Sequence, residues 1–195
     1  MADRRIPDRR ISDRRIPDRR IPDGMTPLER ARELLRDVVP LDKDCGQVCG
    51  ARCCLPSAES TGMLLFPGEE TLSAEAGFTL TPADGGVLLT CGGRCDRDRR
   101  PLACRMFPLF PLYDEQTGRI RVVYDPRGFR LCPLVSECAH VPLRRDFVRA
   151  VRRAGRVLMQ DPACAAFLRA QGEEIRNLMR FFPEERSPIM RRKIR

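Results

Sequence analysis

Ten cysteines fall in a chain of 195 residues, nine of them between Cys45 and Cys138. Four open the cluster as Cys45-x3-Cys49-x3-Cys53-Cys54, Cys91-x3-Cys95 adds a second close pair, and Cys104 and Cys132-Pro133 follow as single thiols. Thiolates are soft ligands for zinc, copper(I) and iron–sulfur clusters, and four protein ligands complete either a tetrahedral ion or a common cluster. Short loops between the cysteines let their sulfurs converge at little ordering entropy. Eight candidates, Cys45, Cys49, Cys53, Cys54, Cys91, Cys95, Cys104 and Cys132, are enough for two four-ligand centres, or for one cluster with thiols to spare. A structural metal site contributes roughly 10–16 kcal/mol, against roughly 5–15 kcal/mol for the stability of a whole domain, so a metal here would decide whether the chain folds.

The neighbours Cys53 and Cys54 carry a geometric condition. On an extended strand adjacent side chains point to opposite sides, so these two either sit on a turn or serve different centres. Cys138 is as readily a ligand as not. Cys164 lies among C-terminal helical sequence and reads as a small buried hydrophobe. His140 is the only histidine and reads as an exposed residue at a helix entrance. One histidine excludes a Cys2His2 finger and any pair of catalytic histidines. No Cys-x-x-Cys pair is present for dithiol redox work, and no paired carboxylates, Ser-His-Asp set or phosphate-cradling loop stands out.

A disulfide framework is the competing explanation for so many cysteines, and it needs export. Residues 1–24 alternate Asp, Arg-Arg and Ile-Pro with no apolar run longer than two, which is not a signal peptide. No stretch approaches the 18 or so apolar residues of a membrane span. The expectation is a cytoplasmic protein in a reducing compartment, where clustered cysteines bind metal or do redox chemistry.

The elements that must position these thiols occupy the middle of the chain. Residues 1–24 carry a five-residue Asp-Arg-Arg-Ile-Pro repeat whose prolines forbid helix or interior strand. It reads as disordered, or as sequence upstream of a start at Met25. Of the net charge of +9, residues 1–24 hold +3 and residues 186–195 hold +5, which leaves +1 for residues 25–185. A near-neutral body argues against a nucleic-acid partner, although basic ends can touch phosphates nonspecifically. The absence of Trp and the presence of only two Tyr leave few stacking platforms for single strands. A protein partner is left open.

Thr26, Pro27 and Glu29 form a capping box with proline at the first helical position, predicting a helix from Pro27 to about Val38. Residues 63–66 read as a short strand, and a short helix is expected from Pro67 to about Gly77. Hairpins are predicted at 78–90 around Asp84-Gly85-Gly86 and at 108–124 around residues 114–118. From Pro142, Leu143, Phe147, Val151, Ala154 and Leu158 share one helical face opposite Arg145, Arg149, Arg152, Arg153 and Arg156. That arginine stripe reads as a solvated face. After Asp161-Pro162, two shorter helices are expected, Ala163 to Ala170 and Glu173 to Phe182. The fold class is α+β: a small metal-dependent cysteine-cluster domain with short strands and hairpins over residues 25–140, capped by C-terminal helices at 141–182, with a basic flexible tail at 183–195.

With the Cys45–Cys54 block, Leu64-Leu-Phe-Pro67-Gly-Glu69, Cys95, Arg100-Pro101-Leu-Ala-Cys104-Arg105-Met-Phe107-Pro108 and Cys132-Pro133, the chain resembles the bacterial CxxCxxCC proteins. These YkgJ-type cysteine-cluster proteins are described as zinc- or iron-chelating domains. The resemblance spans Cys45 to Cys138 and departs from the motif by having three residues, not two, in both gaps. It implies Cys45, Cys49, Cys53, Cys54, Cys95, Cys104 and Cys132 as ligands, with Cys91 an eighth. Arg105 is implied near the cofactor, where it and Arg100 would donate to sulfurs of a centre whose four thiolates leave zinc with a charge of −2. The expected function is therefore metal binding, an iron–sulfur cluster ranking slightly ahead of zinc. The first alternative is an S-adenosylmethionine-dependent protein lysine methylase-like enzyme, because some proteins resembling the family are described as flagellin lysine N-methylases. The second is a zinc-ribbon-like nucleic-acid-binding module.

Overall fold

A computed structural model describes residues 24–54, 62–75, 77–92, 96–136 and 141–181. The repeat at 1–23, the basic tail, Cys95, Cys138 and His140 lie outside the described residues. The first element is α1 (Pro27–Leu34), and it starts as the capping box requires: Thr26 Oγ1 accepts from Glu29 N–H, and Glu29 accepts in turn from Thr26 N–H at 2.8 Å. It ends four residues short of the expected Val38. The N–H groups of Leu35 and Arg36 bond three residues back, to Arg32 and Glu33, tightening the last turn and sending Leu35 and Val39 into the core.

Next come α2 (Cys45–Cys49), a 3-10 turn at Arg52–Cys54, β1 (Met63–Leu64) and α3 (Glu69–Glu75). The first hairpin, β2 (Thr79–Ala83) and β3 (Gly86–Thr90), pairs Ala83 with Gly86 around Asp84-Gly85, and β1 adds to β3 in an antiparallel sheet of order β1-β3-β2. Gly85 takes a φ of +86° there, a value glycine accepts without steric cost. A 3-10 turn at Arg97–Arg99 leads to α4 (Leu102–Met106), then to the second hairpin, β4 (Leu109–Asp114) and β5 (Arg119–Tyr124). Asp114 shapes its loop, the Oδ1 atom accepting from the N–H groups of Gln116 and Thr117 at 3.0 and 3.1 Å. Another 3-10 turn follows at Pro126–Arg130.

Two long helices close the core. The first, α5 (Arg145–Leu158), buries Phe147, Val151, Ala154 and Leu158 completely, and of the five arginines predicted to face solvent Arg145, Arg149, Arg153 and Arg156 are exposed while Arg152 is half-buried. It lies across the β4–β5 hairpin so closely that a Cβ on Gly155 would stand 2.6 Å from Pro111 Cβ. The second, α6 (Pro162–Arg180), is one continuous helix, not the two expected. The Gln171-Gly172 step that suggested a break is a packing feature instead: Gln171 is buried, and a Cβ on Gly172 would meet Leu112 Cδ1 at 3.0 Å. Pro162 sits in the first helical turn and Asp161 caps it, accepting from Cys164 N–H at 2.8 Å. Cys164 is buried, as expected. The architecture is α+β, with one core formed by α1, α4, the β4–β5 hairpin, α5 and α6.

Candidate metal centre

The Cys45-x3-Cys49 spacing is helical. Asp44 caps α2 through Oδ1, which accepts from Gly46 N–H at 3.0 Å, and Cys45 and Cys49 are the first and last residues of that single turn. Residues four apart share a helix face, so the third intervening residue brings the two thiols to one side. Gly50 and Ala51 then both take left-handed backbone, with φ of +67° and +56°. The chain reverses, and Ala51 N–H closes back on Gly46 O at 2.8 Å.

The reversal leads into the 3-10 turn that carries Cys53 and Cys54. Their Sγ atoms lie 3.9 Å apart. Of the two arrangements open to these neighbours, the turn is the one found. Cys91, at the end of β3, reaches the same turn by donating from Sγ to Cys54 O at 3.8 Å. Cys104 is the third residue of α4. Cys132 is buried in the turn after the 126–130 segment, its N–H bonded to Gly128 O at 2.8 Å and its carbonyl accepting from Val135 N–H at 2.9 Å.

Six of the eight candidate ligands, Cys45, Cys49, Cys53, Cys54, Cys104 and Cys132, line one cavity of about 210 Å³. They arrive from four separate segments. Cys91 sits beside that wall through its bond to Cys54, and Cys95 lies outside the described residues. Among the described residues no group of three or more His, Cys, Asp or Glu side chains is already arranged to hold a metal ion.

The electrostatics follow from this crowding. Burial pushes Cys45 up to about 11, and the charges of Asp44, Cys49 and Cys132 push the same way, against Arg100. The hydrogen bond between Cys53 and Cys54, with burial, pushes Cys53 up, and the same bond, with help from Arg100 and against burial, lowers Cys54 to about 6. Negative charge on Cys49 and Cys132 thus opposes the ionisation of Cys45.

Arginines supply part of the surroundings. Arg97, Arg100 and Arg105 line the cavity with the cysteines. Arg105 is pushed down to about 10, by burial first and then by Arg32 and Arg97. Its guanidinium donates to the carbonyls of Arg100 at 2.8 Å, Arg97 at 3.1 Å, Asp98 at 2.8 Å and Arg32 at 3.4 Å. Arg105 is thus a fastener of the loop leading into α4, and Arg100 is the arginine whose charge favours the thiolates of Cys45 and Cys54. Sequence reasoning missed Arg97, which ties the same loop to the segment after α1 by donating to Arg36 O at 3.2 Å and Val38 O at 2.8 Å. No sequence signal marks it, since its partners are backbone atoms about sixty residues away. The apolar wall of Val38, Leu41, Met63, Phe107, Leu134 and Val141 was also not legible as part of a site.

Comparison with family models, curated proteins and solved structures finds no match for this chain. No helix among the described residues is long and apolar enough to cross a membrane.

Proposed function

We propose that this chain is a metal-binding protein that holds zinc or an iron–sulfur cluster through thiolates of Cys45, Cys49, Cys53, Cys54, Cys104 and Cys132, with Cys91 and Cys95 as further ligands. The observation that carries the reading is that six cysteines from four separate segments line one cavity. Thiols placed for packing alone would scatter through the core as Cys164 does. The donor set suits the soft, thiophilic ions, and the Arg100 charge favours the thiolates of Cys45 and Cys54. The resemblance to the YkgJ-type proteins supports the same reading from sequence. When bound, a cation would cross-link the four segments and compensate the mutual repulsion of the thiolates.

The Cys53–Cys54 spacing suits two sulfurs on one metal atom. A tetrahedron built on metal–sulfur bonds of about 2.3 Å has a sulfur–sulfur edge of about 3.8 Å, close to the 3.9 Å between these two atoms. The same edge serves a zinc ion or one iron of a two-iron cluster. Cobalt(II) titration of the reduced, metal-free chain tests the reading: tetrahedral thiolate ligation gives intense sulfur-to-cobalt charge-transfer absorption that zinc abolishes. Octahedral cobalt spectra with no charge-transfer band would refute it.

A further inference from the structure

Glu69, the first residue of α3, is completely buried. Such a carboxylate has to be satisfied locally, because burial pushes its pKa up and disfavours the charged form. Its partners are all donors. Oε1 accepts from Arg32 Nη1 at 2.6 Å and from Leu102 N–H at 2.7 Å, and Oε2 accepts from Phe66 N–H at 3.3 Å. Three donors with no acceptor for a proton is the arrangement of an ionised carboxylate.

The identity of the donors gives the clasp its meaning. Arg32 belongs to α1, Phe66 to the segment after β1, and Leu102 is the first residue of α4. Leu102 N–H is one of the donors a helix start leaves without an intrahelical partner, and Pro101 before it makes no side-chain cap. Glu69 fills that role from thirty-three positions away in the sequence. Two residues on in α4 is Cys104, which faces the cavity. Arg32 closes the circuit by accepting from Arg105 through its carbonyl.

We infer that Glu69 is a positioning residue for the metal centre: its buried carboxylate pins the start of α4 to α1 and the β1 segment, and thereby fixes Cys104 toward the other thiols. The inference rests on the metal-binding reading and adds a residue outside the cysteine set. Loss of the charge should act through Cys104 and leave the Cys45–Cys54 block largely unaffected.

The test is a double-mutant cycle on the full chain, with cobalt(II) affinity as the readout. Glu69→Gln, which keeps the shape and removes the charge, should weaken cobalt binding roughly 10- to 100-fold, the range for partners that orient a ligand. In a Cys104→Ser background the same change should have almost no effect. Equal weakening in both backgrounds, or none in either, would overturn the inference. Should the wild-type chain bind no cobalt, the metal-binding reading fails, and alkylation of the metal-free protein decides the positioning role: Glu69→Gln should raise the reaction of Cys104 with iodoacetamide about 10-fold relative to Cys132 in the same sample. An unchanged ratio there would overturn the inference by itself.

Discussion

The Sγ atoms of Cys53 and Cys54 stand 3.9 Å apart on one 3-10 turn. Side chains of sequence neighbours meet only where the backbone is coiled this tightly, and here the coil follows two left-handed residues, Gly50 and Ala51. The turn thereby brings both thiols to one side of the chain.

If Cys53 and Cys54 share an ion, their contributions to metal affinity are coupled. Either serine substitution should weaken binding by about 100-fold or more, beyond what loss of an orienting partner costs. The double variant should lose much less than the product of the single losses. Chelator-competition titrations check this; multiplicative losses would assign the two thiols to different ions.

Ala51 carries a side chain at a φ of +56°, where L-residues are strained by about 1–2 kcal/mol. Replacing it with glycine removes that strain and loses up to about 1 kcal/mol to unfolded-chain entropy. The expected result is a stability unchanged or raised by about 1 kcal/mol in urea unfolding. Ala51→Val should instead lower stability, since a β-branched side chain tolerates this backbone least.

Gly155 and Gly172 predict opposite outcomes for one substitution. Alanine at Gly155 would press against Pro111 in β4 at 2.6 Å, and overpacking of about 1–3 kcal/mol exceeds the roughly 1 kcal/mol of helix propensity gained. Alanine at Gly172 meets the end of the Leu112 side chain at 3.0 Å, which can turn aside, and Arg176 Nη1 at an ordinary 3.8 Å. Thermal melts should fall for Gly155→Ala and hold or rise for Gly172→Ala.

Asp146 pairs with Arg144 and accepts from Phe147 N–H at 2.8 Å. The Arg144 hydrogen bond, more than any other influence, holds its pKa below the ordinary value of 3.8. A carboxylate lowered in the folded state contributes stability that is fully present above its unfolded value and is lost as pH falls through the lower folded one. Asp146→Asn should therefore reduce stability at neutral pH and flatten its decline below about pH 4, as measured by denaturant midpoints across the acid range.

How much could be read in advance differed by element. The α1 capping box, both hairpins and the buried face of α5 were legible because each is encoded by neighbours in sequence: Thr26 with Glu29, Asp84 with Gly85, Phe147 with Val151. Six of the eight candidate cysteines line one cavity, and the x3 gap acquires a meaning once Cys45 and Cys49 are seen on one helical turn. The continuity of α6 was hidden, because Gly172 looks like a break until β4 is found against it. The Glu69 clasp and the Arg97 tether were hidden for the same reason. Each joins a side chain to backbone atoms more than thirty residues away, a pairing that only the folded chain creates.

The central claim is that thiolates from α2, the Cys53–Cys54 turn, α4 and the Cys132 turn hold a common metal centre. Its most direct test is elemental and acid-labile sulfide analysis of the full chain purified without oxygen, combined with melting before and after chelation. The account predicts stoichiometric zinc or iron that resists desalting, and a cooperative transition that chelation abolishes or shifts sharply downward. A metal-free protein whose thiols all titrate as free, and which melts cooperatively at the same temperature with or without chelator, would contradict it.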